Sequence, residues 1–264
     1  MRECEDSRRI VVPGAPRRLA EMTWPEVAAA VAAGATTVIL PLGATEQHGP
    51  HLPLGTDTYR ATALAERLLA LLPDTLLAPA FPIGCSDEHT GFAGLLSLNT
   101  ETMAHIIVDC ARRMVVWGVQ RLVLLSAHGG NTNALALAVE RLHHELPTLH
   151  VWPSVPTLPS DETIDAALLR IARTDGIAPE AVGMHAGEGE TSEMLHLRPD
   201  LVRQAQRQPG YCGDMTAIMP RLRAAGLRSV TPNGVLGDPT AADAIRGARY
   251  LDAAAAAIAA VLDW

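Results

Sequence analysis

The chain has 264 residues, 48% of them apolar but only 3% aromatic, and its 21 basic and 29 acidic residues give a formal charge of -8. That length fits one large α/β domain with an aliphatic core, and the acidic balance argues against nucleic acid or an anionic membrane as the main partner. Every basic residue is an arginine, which excludes a lysine nucleophile, a Schiff base and the lysine of a phosphate-binding loop.

The four cysteines, Cys4, Cys85, Cys110 and Cys212, are scattered without a CxxC pair, so neither a disulfide framework nor a thiolate zinc site is expected. The N-terminal apolar run from Ile10 to Val12 stops at Pro13, too short for a signal-peptide core, and no apolar stretch reaches membrane-spanning length. A soluble, cytoplasmic protein with a small partner is the expectation. Residues 1–18 read as a poorly ordered or surface-laid arm and 19–264 as a single domain.

The first helix starts at Thr23-Trp24-Pro25-Glu26, threonine as cap and proline at the first helical position, and stops at Gly34. A buried strand from Thr36 to Leu42 runs into Gly43, and Glu46, His48, His51 and Asp57 then fall within twelve residues. Imidazole and carboxylate crowded into a loop held by Gly49, Pro50, Pro53 and Gly55 are what a divalent transition metal binds. Glu46 and His48 are two apart, so extended backbone points both to one side. Thr56 or Asp57 opens the next helix; taken alone, Asp57 reads equally as its cap.

A second strand, 75–81, leads into a second polar loop, 82–92, which contains Ser86, Asp87, Glu88 and His89 and lies beside the first. Thr100 is placed as the cap of a helix that closes at Gly118. The clearest strand, 120–127, ends at His128-Gly129-Gly130-Asn131 and a further helix. A histidine at the carboxyl end of a buried strand, with glycines that let a ligand approach, marks a site, although such a turn also serves as an anion nest. His105, His143 and His144 read as packed or solvated helix residues.

A fourth strand, 149–155, precedes a helix near 161–173. The third polar cluster runs from Gly183 through His185, Glu188 and Glu190 to Ser192, with Thr191 or Ser192 as cap of a short helix. Glu190 then stands at the positive end of that helix, which favours its ionised form. A helix over 214–225 follows, and Asp238-Pro239 is placed as the start of the last helix.

Glu46-Gln47-His48-Gly49-Pro50-His51-Leu52-Pro53, Asp57, His128-Gly129-Gly130-Asn131, His185-Ala186-Gly187 and Glu190-Thr191-Ser192 together resemble the creatininase family of amidohydrolases. The resemblance runs from about Leu19 to the final helix. It implies a three-layer α/β/α sandwich on a mostly parallel sheet, hydrolysis of C–N amide bonds, and two divalent metal ions per chain, zinc, manganese or iron, that activate water. A homohexamer is implied as well. By the family pattern Glu46 and His128 bind one metal, His48 the other, Asp57 bridges both, and His185 is the catalytic histidine. Creatinine-cleaving members carry a metal-binding glutamate where this chain has Gly130; the expected replacement is Glu190, with Glu188 as the alternative. Substrate contacts are assigned to Ser86, Glu88, His89 and Gly129.

Ala181, Val182 and Met184 depart from the creatinine-binding pattern, which points to another amide of small size, cyclic or formamide-type. A peptidase of the mycofactocin-maturation type is the alternative. A metal-binding scaffold without turnover, or a phosphate binder, are the non-enzymatic readings.

Overall fold

The computed structural model describes residues 17–154 and 164–262. Most of the 1–18 arm lies outside them. Arg17 and Arg18 are described and lie along the sheet edge, with the Arg17 guanidinium donating to the Leu72 and Pro73 carbonyls at 2.8 and 2.9 Å.

Four parallel strands form the centre in the order β2-β1-β3-β4, with β1 at Thr37–Leu42, β2 at Thr75–Leu77, β3 at Arg121–Ser126 and β4 at His150–Ser154. The helices are α1 Trp24–Ala32, α2 Thr56–Leu71, α3 Thr100–Val116, α4 Thr132–Glu145, α5 Ile164–Thr174, α6 Pro179–Val182, α7 Glu188–Leu197, α8 Met215–Ala225 and α9 Ala244–Val261. Side chains alternate across the pleat. Val38, Leu40, Leu122 and Leu124 pack with α3 and α4, whereas Ile39, Val123 and Leu125 pack with α2, α5 and α9. The result is the three-layer α/β/α sandwich expected from the sequence.

Several boundaries differ from the sequence reading, each for a local reason. The second strand ends at Leu77 rather than 81, because Pro79 has no N–H for the ladder, and pairing resumes at a bridge between Leu42 and Phe81. Asn99 and not Thr100 caps α3, accepting from the Thr102 amide at 2.8 Å. Thr191 and Ser192 lie inside α7, which begins at Glu188 after Gly187. Asp238-Pro239 opens a 3-10 turn, and the last helix starts at Ala244 with Asp243 as its cap. Thr23 is the cap of α1 as expected, its amide donating to the Glu26 carboxylate at 2.6 Å, but Trp24 takes the first helical position and Pro25 the second.

From β1 the chain crosses to β2 on one side, and from β3 to β4 on the other. The loops leaving the carboxyl ends of β1 and β3 therefore diverge, and that switch point is where open α/β sheets hold ligands. Gly43 and His128 stand at those two ends.

Candidate metal centre

Each of the three polar clusters delivers side chains to this one crevice. The loop after β1 brings in Glu46 and His48, both fully buried. Its path is set by a bridge between His48 and Leu52 and by the Glu46 amide donating to the Leu54 carbonyl at 3.0 Å. His48 Nδ1 lies 3.3 Å from the Glu46 carbonyl, which can only accept, so Nε2 is the free ring nitrogen pointing inward. Asp57 sits in the first turn of α2 and makes no cap bond. Its Oδ1 is 3.3 Å from His48 Nε2 and its Oδ2 3.3 Å from His128 Nδ1. His128 Nε2 is 3.2 Å from Glu46 Oε2 and 2.9 Å from the Cys85 carbonyl.

Glu190, in the first turn of α7, places Oε2 3.7 Å from His48 Nε2. Its other oxygen accepts from Arg60 Nη1 at 2.6 Å, and the Ala186 amide donates to Oε2 at 2.6 Å. Ala186 holds φ at +52°, a left-handed conformation that costs energy in a residue with a Cβ and here aims its amide at Glu190. Glu188 points elsewhere: Arg246, Tyr250 and Ser192 all donate to its carboxylate, at 2.6, 2.9 and 2.6 Å. Of the two carboxylates considered for the centre, only Glu190 reaches it.

His185 is held by the segment 234–239, pairing through a bridge to Leu236. Its Nε2 lies 2.7 Å from the Gln47 carbonyl and 2.9 Å from the Gln47 side-chain nitrogen; the carbonyl is the nearer and can only accept, so Nε2 donates to it and Nδ1, 3.8 Å from Glu46 Oε1, is left as the acceptor. The His185 and His48 rings lie 4.3 Å apart.

Four substrate-contact residues were expected, and two of them are buried. Ser86 stands 3.2 Å from His128 Nε2, and His89 Nε2 stands 3.2 Å from Glu46 Oε1. Glu88 is 29% exposed, and Gly129 faces open space. His51 lies behind the centre, bonded to Thr191 Oγ1 at 2.8 Å.

Two residues that the sequence reading passed over complete the arrangement. Gln47 is buried, donates to the Gly234 carbonyl at 3.1 Å and reaches His89 Nδ1 at 3.0 Å; it sits between two candidate ligands, but neighbouring side chains in a loop carry no signal of direction. Arg60 neutralises Glu190 and Glu193 and lies 3.6 Å from Asp57. Its spacing of three after Asp57, on the same helix face, was the available signal.

The electrostatics of the crevice are those of a cation site. Burial pushes the Glu46 carboxyl up to about 8, the cost of a charge removed from water. Burial lowers the affinity of His48 and His128 for protons, yet the surrounding carboxylates, Asp57 first, reverse this and bring them to about 9 and about 10. His185 is brought down to about 3 by burial and by the neighbouring His48 charge. Both oxygens of Glu46, Nε2 of His48 and Oδ2 of Asp57 are buried without a hydrogen-bond partner among the described residues. Unpaired buried polar atoms are expensive, and here they face one another. Among the described residues three overlapping groups have ligand atoms within 4.8 Å of one another: Glu46, Glu88 and His128; His48, Asp57 and Glu190; and Glu46, His48 and His185, which joins the first two. This donor set fits a pair of divalent cations.

Comparison with known proteins agrees with the geometry. The family model described as creatininase, creatinine amidohydrolase, matches residues 20–262. The chain is 36% identical over 235 residues to the mycofactocin precursor peptide peptidase of Mycobacterium ulcerans, covering 86% of this chain and 80% of that one. It is 32% identical over 189 residues to the creatinine amidohydrolase of Pseudomonas putida, covering 69% and 72%. A solved manganese creatininase superposes with a TM-score of 0.75 at 25% identity, over 94% of this chain and 97% of that one. A mutant creatininase of Zn–Zn type gives 0.73 at 25% identity over the same shares. With the motifs, the fold and the buried donor cluster in agreement, the chain belongs to the creatininase family, as a metal-dependent amide hydrolase.

Proposed function

We propose that the centre holds two divalent cations, one on Glu46 and His128, one on His48 and Glu190, with Asp57 between them, and that the amide bond it cuts lies in a short peptide. The observation that carries the metal reading is the set of buried, unpartnered donor atoms of Glu46, His48 and Asp57 turned toward one another. Charge supports it. Asp57, Glu190 and Glu193 gather around Arg60 while Glu46 and Glu88 lie beside His128, a concentration of carboxylates that suits divalent cations.

Cations bound there supply a water acidified toward neutral pH and a Lewis acid for the amide carbonyl. Zinc, manganese and iron all suit mixed imidazole and carboxylate donors. His185 serves as the proton carrier: Nε2 is committed to the Gln47 carbonyl, so Nδ1 is the atom that takes and delivers the proton to the departing nitrogen. Arg60 keeps Glu190 ionised and oriented.

The peptide reading draws on relatives named as mycofactocin precursor peptide peptidases, at 36% and 37% identity. It also fits the positions expected to grip a creatinine ring: Val182 is buried in the core beside α9, and Met184 stands exposed next to His185 as an apolar rim. A small cyclic or formamide-type amide is the second reading, favoured by the creatinine amidohydrolase relative. A homohexamer in the cytoplasm remains part of the proposal; exposed Trp24, Val116 and Ile245 are apolar side chains that subunit contacts would cover.

The test is metal content together with hydrolysis of short peptides, creatinine and formamides. About two divalent ions per chain, chelator-sensitive and metal-restored cleavage of a peptide, and no creatinine turnover are expected. Full activity after complete demetallation would refute the metal reading, and turnover of small amides alone would refute the peptide one.

A further inference from the structure

We propose that Glu88 is a metal ligand on the Glu46–His128 side of the centre, reaching it from the 3-10 turn Asp87–His89 through space that Gly130 leaves open; this rests on the two-cation reading above. Glu88 Oε1 is 3.8 Å from His128 Nε2, and one donor atom each from Glu46, Glu88 and His128 lie within 4.8 Å of one another. Donors each roughly 2.0–2.2 Å from a shared ion lie at most about 4.4 Å apart, so the Glu88–His128 separation fits once Nε2 exchanges its contact with the Cys85 carbonyl, 2.9 Å away, for the ion. The group aimed into this cluster is Glu46, fully buried and with both oxygens unpartnered.

Gly130 is the structural counterpart. A Cβ there would lie 2.7 Å from Glu88 Oε1, and closer still to the Cys85 carbonyl and to His128 Nε2. A side chain at 130 and the Glu88 carboxylate therefore claim the same volume. The Cys85 carbonyl and His128 already require glycine at 130, and the space so left is where the Glu88 carboxylate lies.

The turn that carries Glu88 is well held. Ser97 Oγ donates to Asp87 Oδ1 at 2.7 Å and accepts from the Ser86 amide at 2.9 Å, and the His89 amide donates to the Ser86 carbonyl at 2.9 Å. Next in sequence, His89 turns its ring to Glu46, 3.2 Å away, so the turn faces the centre through two consecutive residues. Glu190 and Glu193 have Arg60, and Glu188 has Arg246. Among the described residues, the charged or titratable partners of Glu88 within 4 Å are the rings of His128 and His89. With 29% of its side chain exposed, it approaches the ion from the solvent side.

The experiment titrates wild type and Glu88→Gln with Zn²⁺ and Co²⁺ against a chromophoric chelator, and records the visible spectrum of the Co²⁺ form. Two ions in wild type are expected, with one of them weakened in Glu88→Gln by at least about 10–100-fold, the loss that even an outer-sphere partner produces. The other ion keeps its affinity, and one component of the Co²⁺ spectrum changes. In a His48→Ala background the remaining ion should still weaken on Glu88→Gln, which places Glu88 on the other half of the centre. Glu88→Asp, one methylene shorter, should fall between. Melting in excess chelator should match for wild type and Glu88→Gln, so that lost binding is not lost folding. Unchanged binding and spectrum in Glu88→Gln, or equal weakening of both ions as from a diffuse charge effect, overturns the proposal while the two-cation reading stands. A wild-type protein that takes up no divalent ion overturns both.

Discussion

At position 57 one carboxylate faces two imidazoles, Oδ1 toward His48 and Oδ2 toward His128, each at 3.3 Å. These two rings are the ones proposed to hold different ions, so Asp57→Asn is expected to weaken both ions, whereas His48→Ala weakens one more than the other. Competition with a chromophoric chelator reads the two affinities; equal losses from both variants would leave the bridging role without support. His51 gives a prediction of a different kind. Burial, and then the His48 charge, bring its pKa down to about 4 from 6.5. Between those values the unfolded chain binds more protons than the folded one, so this residue's contribution to stability is lost as the pH falls from about 6.5 toward 4. His51→Gln removes the titration. In excess chelator its melting temperature should fall less over that interval than that of wild type, and parallel curves would show that His51 is not the group responsible. The composition of the 46–57 loop revealed that it binds something, but that His51 stands behind the centre and Gln47 beside it depends on the direction of each side chain, which spacing in a loop does not determine.

Helices α7 and α9 are clamped by one buried ion pair, Glu188 with Arg246, joined by Tyr250 and Ser192. A carboxylate out of water without its cation is costly, so Arg246→Met is expected to destabilise the fold by about 3–5 kcal/mol in chemical denaturation. Glu188→Gln, which removes the charge and keeps a hydrogen-bonding amide, should cost less, and its metal content should equal that of wild type. Loss of one ion in folded Glu188→Gln would return Glu188 to the ligand set. In the sequence Glu188 and Glu190 look interchangeable, each flanked by glycine. The early start of α7 separates them: two residues apart on a helix is about 200° of rotation, so one faces α9 and the other faces His48. The same element shows why cap residues were misjudged. Gly187 ends the loop directly before Glu188 and lets the helix begin there, so Thr191 and Ser192 become buried interior residues.

Across the whole molecule, the donors come from the loop after β1, the start of α2, the end of β3 and the first turn of α7, so cations there would tie together segments more than 130 residues apart. Binding to the folded state alone stabilises by mass action: an ion at about 1,000 times its dissociation constant adds about 4 kcal/mol. At about 2–4 °C per kcal/mol for a chain near this size, each site should raise the melting temperature by roughly 10 °C. Calorimetry of chelated and metal-restored protein checks this, and no shift on restoring zinc or manganese would contradict the centre's role in holding these loops.

The chain by itself determined the layer architecture, because short apolar strands alternating with amphipathic helices can bury their faces only as a parallel sheet covered on both sides. It also determined which residue types would meet, since Glu46, His48, Asp57 and His128 each follow or end a strand at the carboxyl edge of that sheet. Tertiary structure alone decided the rest. That Arg60 neutralises Glu190, that Gln47 receives the proton-bearing nitrogen of His185 on its carbonyl, and that Glu88 occupies the volume left by Gly130 are contacts between segments distant in sequence. Their geometry follows from how loops on separate strands pack against each other, and local periodicity carries no record of that packing.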